Sequence, residues 1–146
     1  MMLKNLLKLT KLKKKIFSTY EEVGHGASWI PEDITELLAV DMGCIGDDLD
    51  CTEYDVSICV KDSSGPYDYD LTTNLANYAK KKELNYALDI YPMYGSDASA
   101  ALRGGANIRA ALIGPGVSSS HGMERTHIDA LKNTFKLIQG YVSTFS

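Results

Sequence analysis

A chain of 146 residues, 45% hydrophobic and 23% charged, can bury a core within one domain and is not fibrous, disordered or disulfide-built in composition. Charge is sorted along it: residues 1–15 hold six lysines and no acid, while the remainder carries nine basic side chains against nineteen acidic ones. Nine of those acids fall from Asp41 to Asp70, which argues against a nucleic-acid surface and is compatible with a cation site.

The opening MMLKNLLKLTKLKKK has leucines at 3, 6, 7 and 9, near helical spacing, and reads as a lysine-faced helix packing on its own domain. A membrane-surface helix is the weaker alternative, and the segment lacks the sustained apolar core and cleavage site of a secretory signal. KIFSTY at residues 15–20 reads as a short strand and LLAVDM at 37–42 as a buried one. VSICV at 56–60, ALDIY at 87–91 and IRAALI at 108–113 add three more. Helices are expected over 71–84, capped by Asp70, and over 98–103, after Ser96 and Asp97 and before Gly104 and Gly105. The last helix has Ile128, Leu131, Phe135, Ile138 and Val142 along one face, stepping by three and four. Strands alternating with helices imply an α/β fold, a mixed or largely parallel sheet flanked by helices, in a single domain over 1–146. Cys44, Cys51 and Cys59 make neither an even disulfide set nor a CxxC zinc pattern, so they read as reduced thiols in a cytoplasmic protein.

In such sheets ligands bind beyond the carboxyl ends of the strands. That rule selects the adjacent pair Glu21 and Glu22, then Asp41, then the loop GPGVSSSHGMER at 114–125 with His121. Carboxylates and an imidazole are ligands suited to zinc, cobalt or manganese, and one of two neighbouring glutamates can serve as general base while the other binds metal. On pattern alone the alternative stays open: two solvated turn glutamates, a turn-capping Asp41 and an ordinary loop histidine. An EF-hand starting at Asp41 fails, with Gly43, Ile45 and Thr52 at ligand positions. A glycosidase pair needs carboxylates facing each other across a sugar, and YGSDA at 94–98 lacks the second glycine of a nucleophile elbow.

The segments YEEVGHGAS, LLAVDMG, YGSDASAA and IGPGVSSSHGMERTH stand in the order and spacing of a known family. The chain resembles, from about Leu3 to Val142, the co-catalytic metallo-aminopeptidases that include the tetrahedral and glutamyl aminopeptidases and proteins once labelled endoglucanases. That resemblance implies Glu21 as general base, Glu22 and Asp41 as metal ligands, and a last ligand from a histidine after the final core strand. Aligning Glu124 with the family's RYxHSPxE setting favours His121, with His127 the competitor; Ser118 and Ser119 replace the arginine and tyrosine usual there. Ser96 and Asp97 either line the substrate cleft or cap their helix. His25 is expected at the surface, and Cys44 in packing.

The resemblance also implies two divalent ions, zinc or cobalt, short peptides as substrates, homo-oligomeric full-length relatives, and neither nucleic-acid nor membrane partners. Two further family ligands, a histidine in an HxD segment and a bridging aspartate, precede the matched region, and the family's inserted subunit-contact domain has no counterpart. The chain therefore resembles the second half of a catalytic domain, expected to expose apolar surface. Its three donors are expected to hold at most one ion, weakly. On this reading the chain alone is inactive or a poor enzyme unless a separate piece completes it; the competing reading is a non-catalytic fragment or interaction module.

Overall fold

The computed structural model describes residues 14–144. In chain order these are β1 (Glu36–Val40), β2 (Gly43–Cys44), β3 (Val56–Asp62), β4 (Gly65–Pro66), α1 (Tyr69–Lys81), β5 (Tyr86–Ile90), α2 (Asp97–Arg103), β6 (Arg109–Val117) and α3 (Ile128–Thr144). One turn of 3-10 helix at Glu21–Val23 precedes them. The helix expected over the lysine-rich opening lies outside the described residues, apart from Lys14 and Lys15.

β6 is the hub of the sheet. It pairs in parallel with β1 and β2 and antiparallel with β3, and β3 pairs in parallel with β5 and antiparallel with β4. The sheet is thus mixed and flanked by helices, as the alternation of elements implies.

Period-two alternation along β6 divides the core. Ala111 and Ile113 join Val56, Ile58, Leu71, Leu75 and Leu137 in a cluster under α1 and α3. Ala110 and Leu112 join Ala39, Cys59, Tyr67, Tyr91 and Ala98 in a second cluster, under α2. Complete burial of each Leu or Ile stabilises the fold by about 1.5–3 kcal/mol, so both faces contribute.

Three expectations are corrected. Residues 15–20 form no strand: a strand needs a neighbour to share its backbone hydrogen bonds, none of the described strands pairs with this segment, and Phe17 is 92% exposed. The cap of α1 is Asp68, not Asp70; its carboxylate accepts from Leu71 N–H at 2.8 Å, satisfying a first-turn donor that Asp70, already inside the helix, cannot reach.

The third concerns α3. Ile128 (55% exposed), Leu131 and Phe135 (59%) face solvent, Ile138 of the same stripe packs against the core, and Ala130, Asn133, Thr134 and Leu137 complete the inward face. Close approach decides this rotation. A Cβ on Gly140 would lie 2.2 Å from the Tyr78 ring, so small residues must face α1. Asn133 also gains a partner, donating to the Tyr54 carbonyl oxygen at 3.1 Å.

Candidate functional site

Glu21 and Glu22 lie in the 3-10 turn rather than at a strand end. The turn is closed by Gly24 at φ 76, whose N–H donates to the Glu21 carbonyl at 2.7 Å; glycine adopts this left-handed conformation without steric cost. In a helical turn successive side chains are not thrown to opposite faces, so adjacent glutamates can border one cleft.

Asp41 follows β1 directly. Its N–H donates to Ile113 O at 3.0 Å, extending the ladder, and its Oδ1 accepts from Met42 N–H at 2.7 Å. The two backbones pass so closely here that a Cβ on Gly114 would lie 1.4 Å from the Asp41 carbonyl oxygen.

His121 comes from the loop after β6. Ser118 and Arg125 close that loop with reciprocal backbone hydrogen bonds of 2.8 and 3.1 Å. Between them Ser119 and His121 both have φ 59, a region that costs non-glycine residues energy and recurs at functional sites. Glu124 Oε1 accepts from His121 N–H at 3.0 Å and holds the strained turn.

Glu21, Glu22, Asp41 and His121 line one cleft of about 140 Å³, with Met42, Met93, Tyr94 and Gly95 as its other walls. His121 Nδ1 stands 3.7 Å from Glu22 Oε2. A larger cavity of about 250 Å³, between Asp62 and Arg103, includes none of the four. Burial, followed by the charges of Asp41, Asp97 and Glu22, pushes the Glu21 carboxyl above its usual range, with His121 opposing. A carboxylate raised in this way moves toward the basicity that proton abstraction near neutrality requires.

The donors fit a divalent ion in kind, two carboxylates and an imidazole on one cleft. Their spacing is wider than a coordination sphere: among the described residues no three His, Cys, Asp or Glu side chains lie close enough to hold a metal.

His127 is placed elsewhere. It precedes α3, its Nδ1 accepts from Asp129 N–H at 3.2 Å, and its ring lies 4.6 Å from that of Tyr54. Ser96 caps α2 with its hydroxyl and also meets the Tyr67 hydroxyl at 2.9 Å. Asp97 leaves Oδ1 buried without a hydrogen-bond partner, close to Gly26. His25 is exposed and Cys44 half-buried.

Sequence reasoning missed Tyr94. It borders the cleft, and its hydroxyl donates to the Met42 carbonyl at 3.0 Å. Nothing in the letters YGSDASAA marks that tyrosine, since its contacts come from a distant part of the chain.

Solved structures of similar architecture include PhTET1-12s, a dodecamer, with a TM-score of 0.72 and 23% identity over 84% of this chain and 39% of that one. Another is aminopeptidase APDkam598 from the archaeon Desulfurococcus kamchatkensis, with a TM-score of 0.65 and 20% identity over 74% of this chain and 34% of that one. At such identities they establish the fold, that of the TET aminopeptidases. In sequence, residues 2–137 match the profile of the M42 glutamyl aminopeptidases, and this chain belongs to that family. It is 53% identical over 130 residues to "Putative aminopeptidase YhfE" of Bacillus subtilis (strain 168), a match covering 88% of this chain and 38% of the relative. The chain thus spans well under half the length of that relative.

Proposed function

We propose that this chain carries the general base and three metal donors of an aminopeptidase site that removes amino-terminal residues from short peptides in the cytoplasm. Glu22, Asp41 and His121 would hold the metal, and Glu21 is the base. The observation that carries the reading is the shared cleft: an adjacent glutamate pair, an aspartate and a histidine, from three separate parts of the chain and each of the type the chemistry needs, border one space.

A bound divalent ion, zinc or cobalt, supplies Lewis acidity toward a peptide carbonyl and lowers the pKa of its water. The chain's own residues do the rest. Glu21 takes the proton of the attacking water, and its raised basicity suits that task. Glu22 sits next to it on the same turn, and the Met42 N–H fixes one oxygen of Asp41. Met42, Met93 and Tyr94 give the cleft an apolar wall on which substrate can rest. Three donors are few for two ions, so we assign this chain one ion, bound weakly. Assembly with further copies of itself is part of the proposal, supported by the dodecameric PhTET1-12s.

The open spacing of the donors favours a second reading, a module that keeps the fold without the chemistry. Turnover of aminoacyl p-nitroanilides with added zinc or cobalt, together with calorimetric metal titration, separates the two. Metal bound in the cleft, with turnover that is at most weak and is lost in Glu21→Gln, supports the aminopeptidase site. Turnover indifferent to Glu21→Gln overturns the assignment of the base, and absence of both turnover and metal binding leaves the non-catalytic module.

A further inference from the structure

We propose that Tyr94 is a positioning residue for Asp41: its hydroxyl clamps the segment after β1 so that the Asp41 carboxylate keeps one orientation in the cleft. The inference rests on Asp41 being a metal donor.

The clamp is built from both ends. Ser63 holds the main chain of Tyr94, donating from its N–H at 3.0 Å and from its hydroxyl at 2.6 Å to the Tyr94 carbonyl oxygen. The ring packs on Tyr91, centroids 5.6 Å apart, and buried Tyr91 is itself tied to Ser57 Oγ at 2.7 Å. The Tyr94 hydroxyl therefore arrives at a fixed place. There it donates to the Met42 carbonyl at 3.0 Å, while the N–H of the same Met42 donates to Asp41 Oδ1 at 2.7 Å. Both polar groups of the Met42 main chain are thus engaged, one by the tyrosine and one by the carboxylate.

Outer groups that orient a ligand commonly change metal affinity by about 10–100-fold, and a clamp built on one hydroxyl belongs in that range. Tyr94→Phe keeps the ring and its packing and deletes only the hydroxyl.

The test is titration of the purified chain with cobalt(II), read as affinity and as the visible absorption spectrum of the bound ion, with thermal unfolding as a control. Tyr94→Phe is expected to weaken cobalt about tenfold or more and to alter the spectrum while the melting temperature stays near wild type. Ser63→Ala, which frees the anchor behind the ring without touching it, is expected to act in the same direction. If Asp41→Asn lowers affinity and neither Tyr94→Phe nor Ser63→Ala changes affinity or spectrum, the positioning role is wrong. If Asp41→Asn leaves affinity intact, or the wild type binds no cobalt, the metal reading beneath it falls instead.

Discussion

His121 Nδ1 lies 3.7 Å from Glu22 Oε2, although the two residues come from opposite ends of the chain. The strained loop after β6 and the 3-10 turn before β1 meet there, and His127 is held at the start of α3 by its own contacts. The two histidines should therefore separate in experiment. His121→Ala is expected to lower zinc affinity about 10-fold or more in a competition titration. His127→Ala should leave affinity unchanged and cost about 1 kcal/mol of stability through the lost helix-start contact. Equal effects on affinity would remove the distinction.

Gly114→Ala should be among the most damaging single changes outside the clusters of large side chains. The new methyl would collide with the Asp41 carbonyl at 1.4 Å, a backbone atom with no freedom to swing away. Overpacking of this kind costs about 1–3 kcal/mol or more, and here it would also displace Asp41. Urea unfolding should show the lower midpoint, and cobalt titration the weaker binding.

The rotation of α3 predicts an inversion of the usual expectation for large residues. Leu137, fully buried, should cost about 2–5 kcal/mol when cut to alanine. Phe135, larger but 59% exposed, should cost far less. Chemical denaturation of the two variants decides it, and a costlier Phe135→Ala would contradict the packing described. The same measurement tests the α1 cap: Asp68→Ala should lose about 1 kcal/mol and Asp70→Ala much less.

Alkaline pH should loosen the fold. Burial is the main cause that pushes the Cys51 and Cys59 thiols from an ordinary 9.0 up to about 12. A group whose pKa is raised on folding keeps its full stabilisation below the unfolded value and loses it as pH climbs toward the folded one. Urea midpoints should therefore hold up to about pH 9 and decline between 9 and 12, with the buried hydroxyls of Tyr67 and Tyr91, raised for the same reason, adding to the fall. A flat profile across that interval would show that the thiols are not sequestered.

The alternation of apolar runs with capped helices made the α/β class and most strand positions legible, because each of those signals is local. β6 could be found as IRAALI but extends through Gly114 to Val117, since its continuation depends on pairing with β2 and β3. Residues 15–20 have the letters of a strand, yet strand identity belongs to a pair of segments and not to one. On α3 large and small residues both repeat at helical spacing, and contacts from distant parts of the chain, the Tyr78 ring against Gly140 and the Tyr54 carbonyl against Asn133, determine which of them turn inward. At the site, the strand-end rule holds for Asp41 after β1 and for His121 in the loop after β6, whereas Glu21 and Glu22 reach the same cleft from a 3-10 turn with no described strand before it, and the contact of Tyr94 depends on a hydrogen bond to Met42 across the sheet.

Anomalous diffraction from crystals of this chain soaked in zinc would locate the ion among its ligands. One strong peak is expected among the carboxylates of Glu22 and Asp41 and the imidazole of His121, with Glu21 beside it but outside the ligand set. A peak at other residues, or none in this cleft at millimolar zinc, would contradict that assignment.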